Sequence, residues 1–273
     1  MAFGTAIEHR VPALYHWQPF TPANAHWLRQ TIGTKAIYCP SPSKFNDPWD
    51  CKPHFNTTVR DDPTENERHV EFAERQFRKN DPPLPEGEIA RRKQVVRTDR
   101  TFAAGLIEQM SDAMAPAIAD RYRVYCLGTD PTNILMWSHY ADSHQGVCLE
   151  FSARNEVMCG ALKCEYLADF PMMKVYSDDE QDAIRILRFK ARAWEYEDEY
   201  RLIAQEGSKA VPADTLMTDN SLLQLPAGAL TAVIVGCQGN YNEVRALVQG
   251  IDPGVAVKRA VRVPNKFALR IEG

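Results

Sequence analysis

Two glutamates and an arginine stand at alternate positions in the chain, as Glu197, Glu199 and Arg201. In an extended strand alternate side chains share one face, so this spacing predicts that the three charges lie together. Carboxylates on one face repel each other unless they are solvated or have a chemical task. Paired carboxylates can divide acid, base and charge-stabilising roles, which makes Glu197 and Glu199 the candidate catalytic residues. The alternative is a solvated edge strand in which Arg201 pairs with Glu199.

The stretch 136–151 carries aromatic and imidazole side chains close together. Trp137 and Tyr140 are three residues apart and share a helical face, which suits either core packing or an aromatic wall for a planar ligand. His139 and His144 are five apart and do not share one. A zinc site would need a further ligand. We therefore predict no metal here and treat both histidines as pocket candidates.

The first 52 residues hold a second set of candidates. Asn46 and Asp47 precede a proline and predict a turn in which Asx side chains cap local amides. Asp47, Asp50 and Lys52 are the residue types of a metal-dependent nuclease. They lie in one short loop, whereas such enzymes draw their carboxylates from separate strands, so a nuclease is only a third interpretation.

The periodicity predicts one domain over residues 1–273 that is α+β or mixed α/β, with many short strands around one core. A stretch rich in Arg, Glu, Gln and Ala predicts a helical insertion at about 61–123, where Pro116 should kink or divide the last helix. The other predicted elements are strands at 13–20, 35–39, 123–127, 146–151, 196–205, 230–236 and 255–260, and helices after 21–24, from Asp130, at 178–193 and at 241–249.

The composition of the chain limits the classes of function and partner that it can have. An apolar fraction of 44% with 25% charged residues is ordinary for a globular protein, and a net charge of −4 gives no overall attraction to phosphate backbones. Seven cysteines without a CxxC pair predict reduced thiols and a cytoplasmic location. The N-terminus lacks the apolar core of a signal peptide, and no apolar run approaches the roughly 20 residues that span a bilayer, so we expect no membrane partner.

Familiar motifs are missing: the chain has no phosphate-binding loop, no dinucleotide-binding glycine motif and no HExxH zinc motif. A basic stretch at Arg91, Arg92 and Lys93 indicates either a solvated helix face or a nucleic-acid contact. A non-catalytic module that binds a ligand or nucleic acid through Trp137, Tyr140 and the two histidines is therefore the alternative to an enzyme.

Several segments resemble the bacterial family named domain of unknown function 2971. The likeness covers most of the chain outside 61–123, and its matching segments are 14–17, 37–41, 45–48, 126–127, 136–151, 194–202 and 235–236. A more distant resemblance is to the ADP-ribosyltransferase arrangement, in which a Tyr-His strand, a helix and an aromatic or Ser strand precede a late Glu-x-Glu strand.

This second resemblance implies an α+β fold with a mixed, largely antiparallel sheet core. It also implies an NAD-dependent transferase, in toxin or anti-phage defence, that acts on a protein or nucleic-acid acceptor. By that resemblance His16 and Tyr38 or Ser41 would bind NAD, and Glu199 would support the reaction. A carboxylate suits this chemistry because cleavage of the nicotinamide–ribose bond builds oxocarbenium character. Trp137 and Tyr140 would then stand beside the cofactor.

Overall fold

The computed structural model describes residues 4–55, 62–174, 180–207 and 215–273. Within these ranges the α-helices are α1 (Ala25–Thr34), α2 (Pro63–Arg78), α3 (Glu86–Thr98), α4 (Arg100–Arg121), α5 (Ile134–Tyr140), α6 (Glu180–Ile186) and α7 (Tyr241–Ile251). The strands are β1 (Ala13–Gln18), β2 (Ala36–Tyr38), β3 (His54–Phe55), β4 (Tyr122–Leu127), β5 (Val147–Ser152), β6 (Leu162–Lys163), β7 (Glu165–Leu167), β8 (Met172–Met173), β9 (Phe189–Ala191), β10 (Tyr200–Glu206), β11 (Met217–Thr218), β12 (Leu222–Gln224), β13 (Leu230–Val235), β14 (Ala256–Arg262) and β15 (Leu269–Glu272).

Two sheets carry most of the strands. The larger has the order β1-β5-β13-β14-β15 and is antiparallel except for the β13–β14 pair. In the smaller, β10 pairs with β4 and β6 antiparallel and with β11 parallel. The pairs β2–β12, β3–β8 and β7–β9 stand apart. The prediction of a mixed, largely antiparallel α+β fold is therefore confirmed.

The two larger sheets meet at a single bridge between β1 and the residue after β4. Tyr15 and Gly128 exchange backbone hydrogen bonds, with N···O distances of 2.9 and 2.8 Å. The main core fills the space between the sheets and is closed by α1 and α7. On β1, Leu14 lies in this core while Trp17 packs in a cluster on the other side of the sheet with Trp137 of α5. Alternation along β1 thus separates two apolar layers.

The helices α2, α3 and α4 form the predicted insertion, of which residue 61 lies outside the described part. They enclose their own apolar cluster, with Val70 and Ile89 at its centre. α4 also packs through Ile107 and Ile118 against Tyr122 and Val124 of β4. The helix runs from Arg100 to Arg121 as one element, so Pro116 does not divide it.

The predicted helix at 178–193 is wrong in its second half, and its first two residues lie outside the described part. α6 ends at Ile186, and the chain continues as strand β9 and then as a 3₁₀ helix, Arg192–Glu197. β9 pairs in parallel with β7, and this tertiary pairing outweighs local helix propensity. The predicted strand at 196–205 likewise begins only at Tyr200.

Within the described ranges no helix is both long and apolar enough to cross a membrane. All seven cysteines are free.

Candidate active site

Five charged side chains converge in the interior where β9 and β10 meet the loop before β3. Each is at most 9% exposed. Moving an ion from water into the interior costs roughly several kcal/mol in lost hydration. Opposite charges and hydrogen bonds must compensate for this loss. We call this set the charge network; its members are Asp50, Lys190, Glu197, Glu199 and Arg201.

Arg201, on β10, is the centre of the network and is fully buried. Its Nε donates to Oε1 of Glu199 at 2.7 Å, and its Nη2 reaches Oε2 of the same carboxylate at 3.3 Å. Nη1 and Nη2 donate to the two oxygens of Asp50 at 2.9 and 2.6 Å. Nη1 also donates to the carbonyl of Leu187 at 2.7 Å. All five guanidinium donors therefore have acceptors, which is the condition for burying this group.

Lys190, on β9, joins the two glutamates. Its ammonium donates to Oε2 of Glu199 at 2.6 Å and also to Oε2 of Glu197. It lies 5.5 Å from the ring centroid of Trp194, within cation–π range. The second oxygen of Glu197, Oε1, accepts from the hydroxyl of Tyr140 at 2.6 Å. Tyr140 is half-buried, so the network approaches the surface at this residue.

The environment shifts the pKa values of the two glutamates in opposite directions. For Glu199 burial alone would raise the pKa, but Arg201 and Lys190 outweigh it and hold the pKa well below its usual range. For Glu197 burial raises the pKa, and the opposing effect of Lys190 does not cancel it. Carboxylates whose pKa values are separated in this way can take different roles, with Glu199 ionised and Glu197 able to accept a proton.

A left-handed residue at the end of the 3₁₀ helix brings the two glutamates together. Asp198 has φ 47° and ψ 47°, a conformation that aspartate tolerates better than most residues. Its carboxylate accepts from the hydroxyl of Thr129 and the ammonium of Lys163. Glu197 and Glu199 therefore converge on Lys190 across a corner, and not along one strand as the alternate spacing predicted.

The chain passes this corner at close range. A Cβ placed on Gly128 would lie 2.9 Å from Cζ3 of Trp17 and 3.1 Å from the carbonyl oxygen of Glu197. We expect Gly128→Ala to lower the free energy of unfolding by about 1–3 kcal/mol, because the added methyl group overpacks a buried site. Urea denaturation measures this loss.

Gly105 is the matched control, since it lies within α4 and a Cβ there meets no atom within 4 Å. Gly105→Ala should raise stability by about 0.5–1 kcal/mol, because alanine loses less backbone entropy in a helix. An equal gain in both variants would show that Gly128 is not a close contact.

Four partly exposed rings lie beside the Glu197 carboxylate and form a continuous aromatic row. The centroid distances are 6.1 Å for Trp194–Tyr196, 6.2 Å for Tyr196–His139 and 6.3 Å for His139–Tyr140. Asp47 fixes the first ring, since it accepts from Trp194 Nε1 at 2.7 Å. Such a row provides π-faces for a planar ligand, next to a carboxylate that can act on it.

His16 lies beside Cys126 of β4, whose side chain contacts the charge network. Its ring stacks on Tyr125, with centroids 4.2 Å apart, and its Nδ1 lies 2.8 Å from the carbonyl oxygen of Cys126. Since a carbonyl can only accept, Nδ1 carries the proton and Nε2 is left as an acceptor. Burial lowers the pKa of His16 to about 4, so the ring is neutral at pH 7. The thiol of Cys126 donates to Glu199, and β1, which carries His16, does not pair with β10, which begins one residue after Glu199.

The other predicted NAD-binding residues near the N-terminus make different contacts. Tyr38 accepts from Lys44 Nζ at 2.9 Å, and its ring lies 4.9 Å from that of Trp27. The Ser41 hydroxyl donates to the carbonyl of Ala119 at 2.7 Å. Neither contact involves the charge network.

The turn at 46–48 is confirmed, because Asp47 Oδ1 caps the amide of Trp49 at 2.9 Å. Asn46 of the same turn is exposed.

Trp137 does not line a cleft, and the prediction that it stands beside a cofactor is corrected. Its side chain is fully buried in the cluster under α5, and its Nε1 donates to the carbonyl of Pro131 at 2.7 Å. His144 is half-buried beyond the end of α5, and burial lowers its pKa. In the described part of the chain no group of three or more His, Cys, Asp or Glu side chains could hold a metal ion.

Two members of the charge network were not predicted as site residues. Asp50 entered the sequence argument only with the nuclease interpretation, and Lys190 fell inside a predicted helix. The signal for Lys190 was the segment Leu187–Ala191, in which apolar and basic residues alternate as in a strand. The role of Asp50 depends on a contact with Arg201, 151 positions away, which no local pattern reveals.

The charge network and the aromatic row together form the candidate active site, with the Tyr140–Glu197 hydrogen bond at their junction. Geometry is the only guide to its chemistry, since no protein-family model, no curated protein and no solved structure matches this chain.

Proposed function

We propose that the protein is an NAD-dependent, ADP-ribosyltransferase-like enzyme that transfers ADP-ribose to a protein or nucleic-acid acceptor. The observation that carries this proposal is the hydrogen bond between Tyr140 and Glu197, which joins a protonatable carboxylate to a row of aromatic rings. The reaction needs these two features together: a π-face for the nicotinamide and a carboxylate at the ribose. The resemblance to the family named domain of unknown function 2971 stays a prediction beside it.

Glu197 is the proposed catalytic carboxylate, in place of Glu199. A ribose hydroxyl can replace the Tyr140 hydroxyl on Oε1, where the carboxylate would stabilise positive charge developing on the sugar. The nicotinamide–ribose bond breaks with its electron pair leaving on nicotinamide. The acceptor nucleophile bonds to the ribose carbon, and its proton passes to Glu197, whose raised pKa suits a base.

Glu199 is the proposed positioning residue, because both of its oxygens are occupied by Arg201 and Lys190. It holds Lys190 against Glu197 and remains ionised. Two mostly antiparallel sheets joined at the Tyr15–Gly128 bridge are compatible with an ADP-ribosyltransferase-like core. His16 on β1 lies 2.8 Å from the carbonyl oxygen of Cys126, whose thiol donates to Glu199, so the strand-one histidine is two contacts away from that glutamate.

A second candidate function is a non-catalytic ligand-binding module, and the burial of the network favours it. Glu197 is only 4% exposed and both of its oxygens have donors, so a substrate must displace Tyr140 to reach it. In this alternative the network only stabilises the fold, and the aromatic row binds a ligand without reaction.

The test measures nicotinamide release from NAD by proton NMR, with a cell lysate as the source of acceptors and a tagged NAD to label them. Glu197→Gln should lower the rate about 100-fold or more, the usual contribution of a general base. Glu195→Gln is the matched control, since Glu195 is exposed two residues away on the same 3₁₀ helix. Wild-type protein that releases no nicotinamide and labels nothing, or a fully active Glu197→Gln, would refute the proposal. Saturable NAD binding without release would favour the binding module.

A further inference from the structure

A cavity of about 270 Å³ lies between the loop before β3 and the β7–β9 pair, and Lys190 is among its lining residues. Its walls are mostly apolar, with Phe189 of β9 and Phe170 of the loop after β7 among them. A cavity of about 150 Å³ is enough to hold a benzene ring. The volume here therefore suits one fused pair of flat rings.

Two large aromatic side chains at this cavity are held in solvent. Trp49 is 63% exposed and Phe170 is 42% exposed. The backbone of Trp49 is fixed on both sides, since its amide donates to Asp47 Oδ1 at 2.9 Å and the amide of Asp50 donates to the Asp47 carbonyl at 3.2 Å. An indole held in solvent keeps its apolar surface hydrated and contributes no burial to the folded state. A rigid turn that presents such a ring is typical of a binding surface.

The polar groups at the cavity indicate the charge of the ligand. Lys52 and Asp169 both line it, both are exposed, and their charges cancel. Lys190, on the wall, is already neutralised by two carboxylates. The surroundings thus favour an uncharged ring over an ion, while Lys52 offers a donor and Asp169 an acceptor for its edge.

We propose that this cavity binds a purine base, which stacks on Trp49 and Phe170 and exchanges hydrogen bonds with Lys52 and Asp169. A purine has two fused flat rings, which match the volume and the apolar walls of the cavity. Its edge carries neighbouring donor and acceptor groups, which can pair with Asp169 and Lys52. The inference does not rest on the proposed function, because adenosine has no nicotinamide–ribose bond to cleave. The base could come from a free nucleoside, a nucleotide or a dinucleotide.

The experiment measures binding of adenosine, AMP and NAD to the full chain by calorimetry and by saturation-transfer NMR. Trp49→Ala should weaken adenosine binding about fivefold or more, because stacking of a base on an aromatic ring is lost. Trp49→Phe should restore most of the affinity. Trp27→Ala is the matched control, since Trp27 is a partly exposed tryptophan on α1, at 38%.

The three ligands separate the sources of the base. Equal affinities would identify the base alone as the recognised group, and a higher affinity for NAD would identify a dinucleotide that extends beyond the cavity. Absence of saturable adenosine binding, or equal affinities for wild-type and Trp49→Ala protein, would overturn the inference. Neither result depends on whether nicotinamide is released, so this test and that of Glu197 fail separately.

Discussion

Arg201→Met is expected to lower the free energy of unfolding by about 3–5 kcal/mol, because Asp50 loses its ionic partner in the interior and Glu199 keeps only Lys190. Asp50 and Glu199 are 6% and 2% exposed, so water cannot replace the guanidinium. Methionine fills a similar volume without a charge, which limits the contribution of a cavity to the loss. Urea unfolding followed by circular dichroism measures the change.

Arg270→Met is the control for this variant. Arg270 pairs with Glu272 at 2.6 Å, but the two side chains are 57% and 49% exposed. Surface pairs of this kind contribute less than about 1 kcal/mol. Equal losses of stability in the two variants would show that the burial of Arg201 has no energetic consequence.

Lys190→Met is expected to have a comparable effect at pH 8, about 3–5 kcal/mol, and a smaller one at pH 5. Without the ammonium, Glu197 and Glu199 repel each other in the interior, and the pKa of at least one rises above its unfolded value. The native variant then binds more protons than the unfolded chain, so its stability falls as the pH rises through the raised pKa. Stability curves at several pH values test this sign.

Two further variants make this result specific. Lys258→Met removes a lysine that pairs with Glu150 at 2.7 Å near the surface, and its effect should be small at either pH. Adding Glu197→Gln to Lys190→Met removes one of the repelling charges and should recover part of the stability at pH 8. A cost that is the same at pH 5 and pH 8 would show that neither glutamate takes up a proton.

Local patterns were enough to predict the helices and the strands of six or seven residues, but not most of the shorter strands. α7 is an example: Asn240 caps it, and Val244, Leu247 and Val248 recur on one buried face, so sequence alone predicts 241–249. β9 is the counterexample, because it exists through pairing of Phe189 with Glu165. A strand of three residues leaves too short a period to distinguish it from the end of a helix.

For the site, spacing brought Glu197, Glu199 and Arg201 together, but only the structure shows that they are buried. The alternate spacing is equally compatible with a solvated strand. Whether the charges are buried depends on their contacts with Asp50 and Lys190, which come from other segments of the chain. Trp137 is a second residue whose burial the sequence could not predict. Its helical face was predictable, but whether that face meets the core or a ligand depends on which sheet covers it.

The junction of α4 and β4 has a mechanical consequence. α4 ends at Arg121 and β4 begins at Tyr122, so no loop separates the helical insertion from the sheet. A 22-residue helix continued by a paired strand is a stiff lever, and its far end on β4 holds Cys126 between His16 and Glu199. Because Arg121 and Tyr122 are consecutive, a partner that shifts the end of α4 would also shift the start of β4.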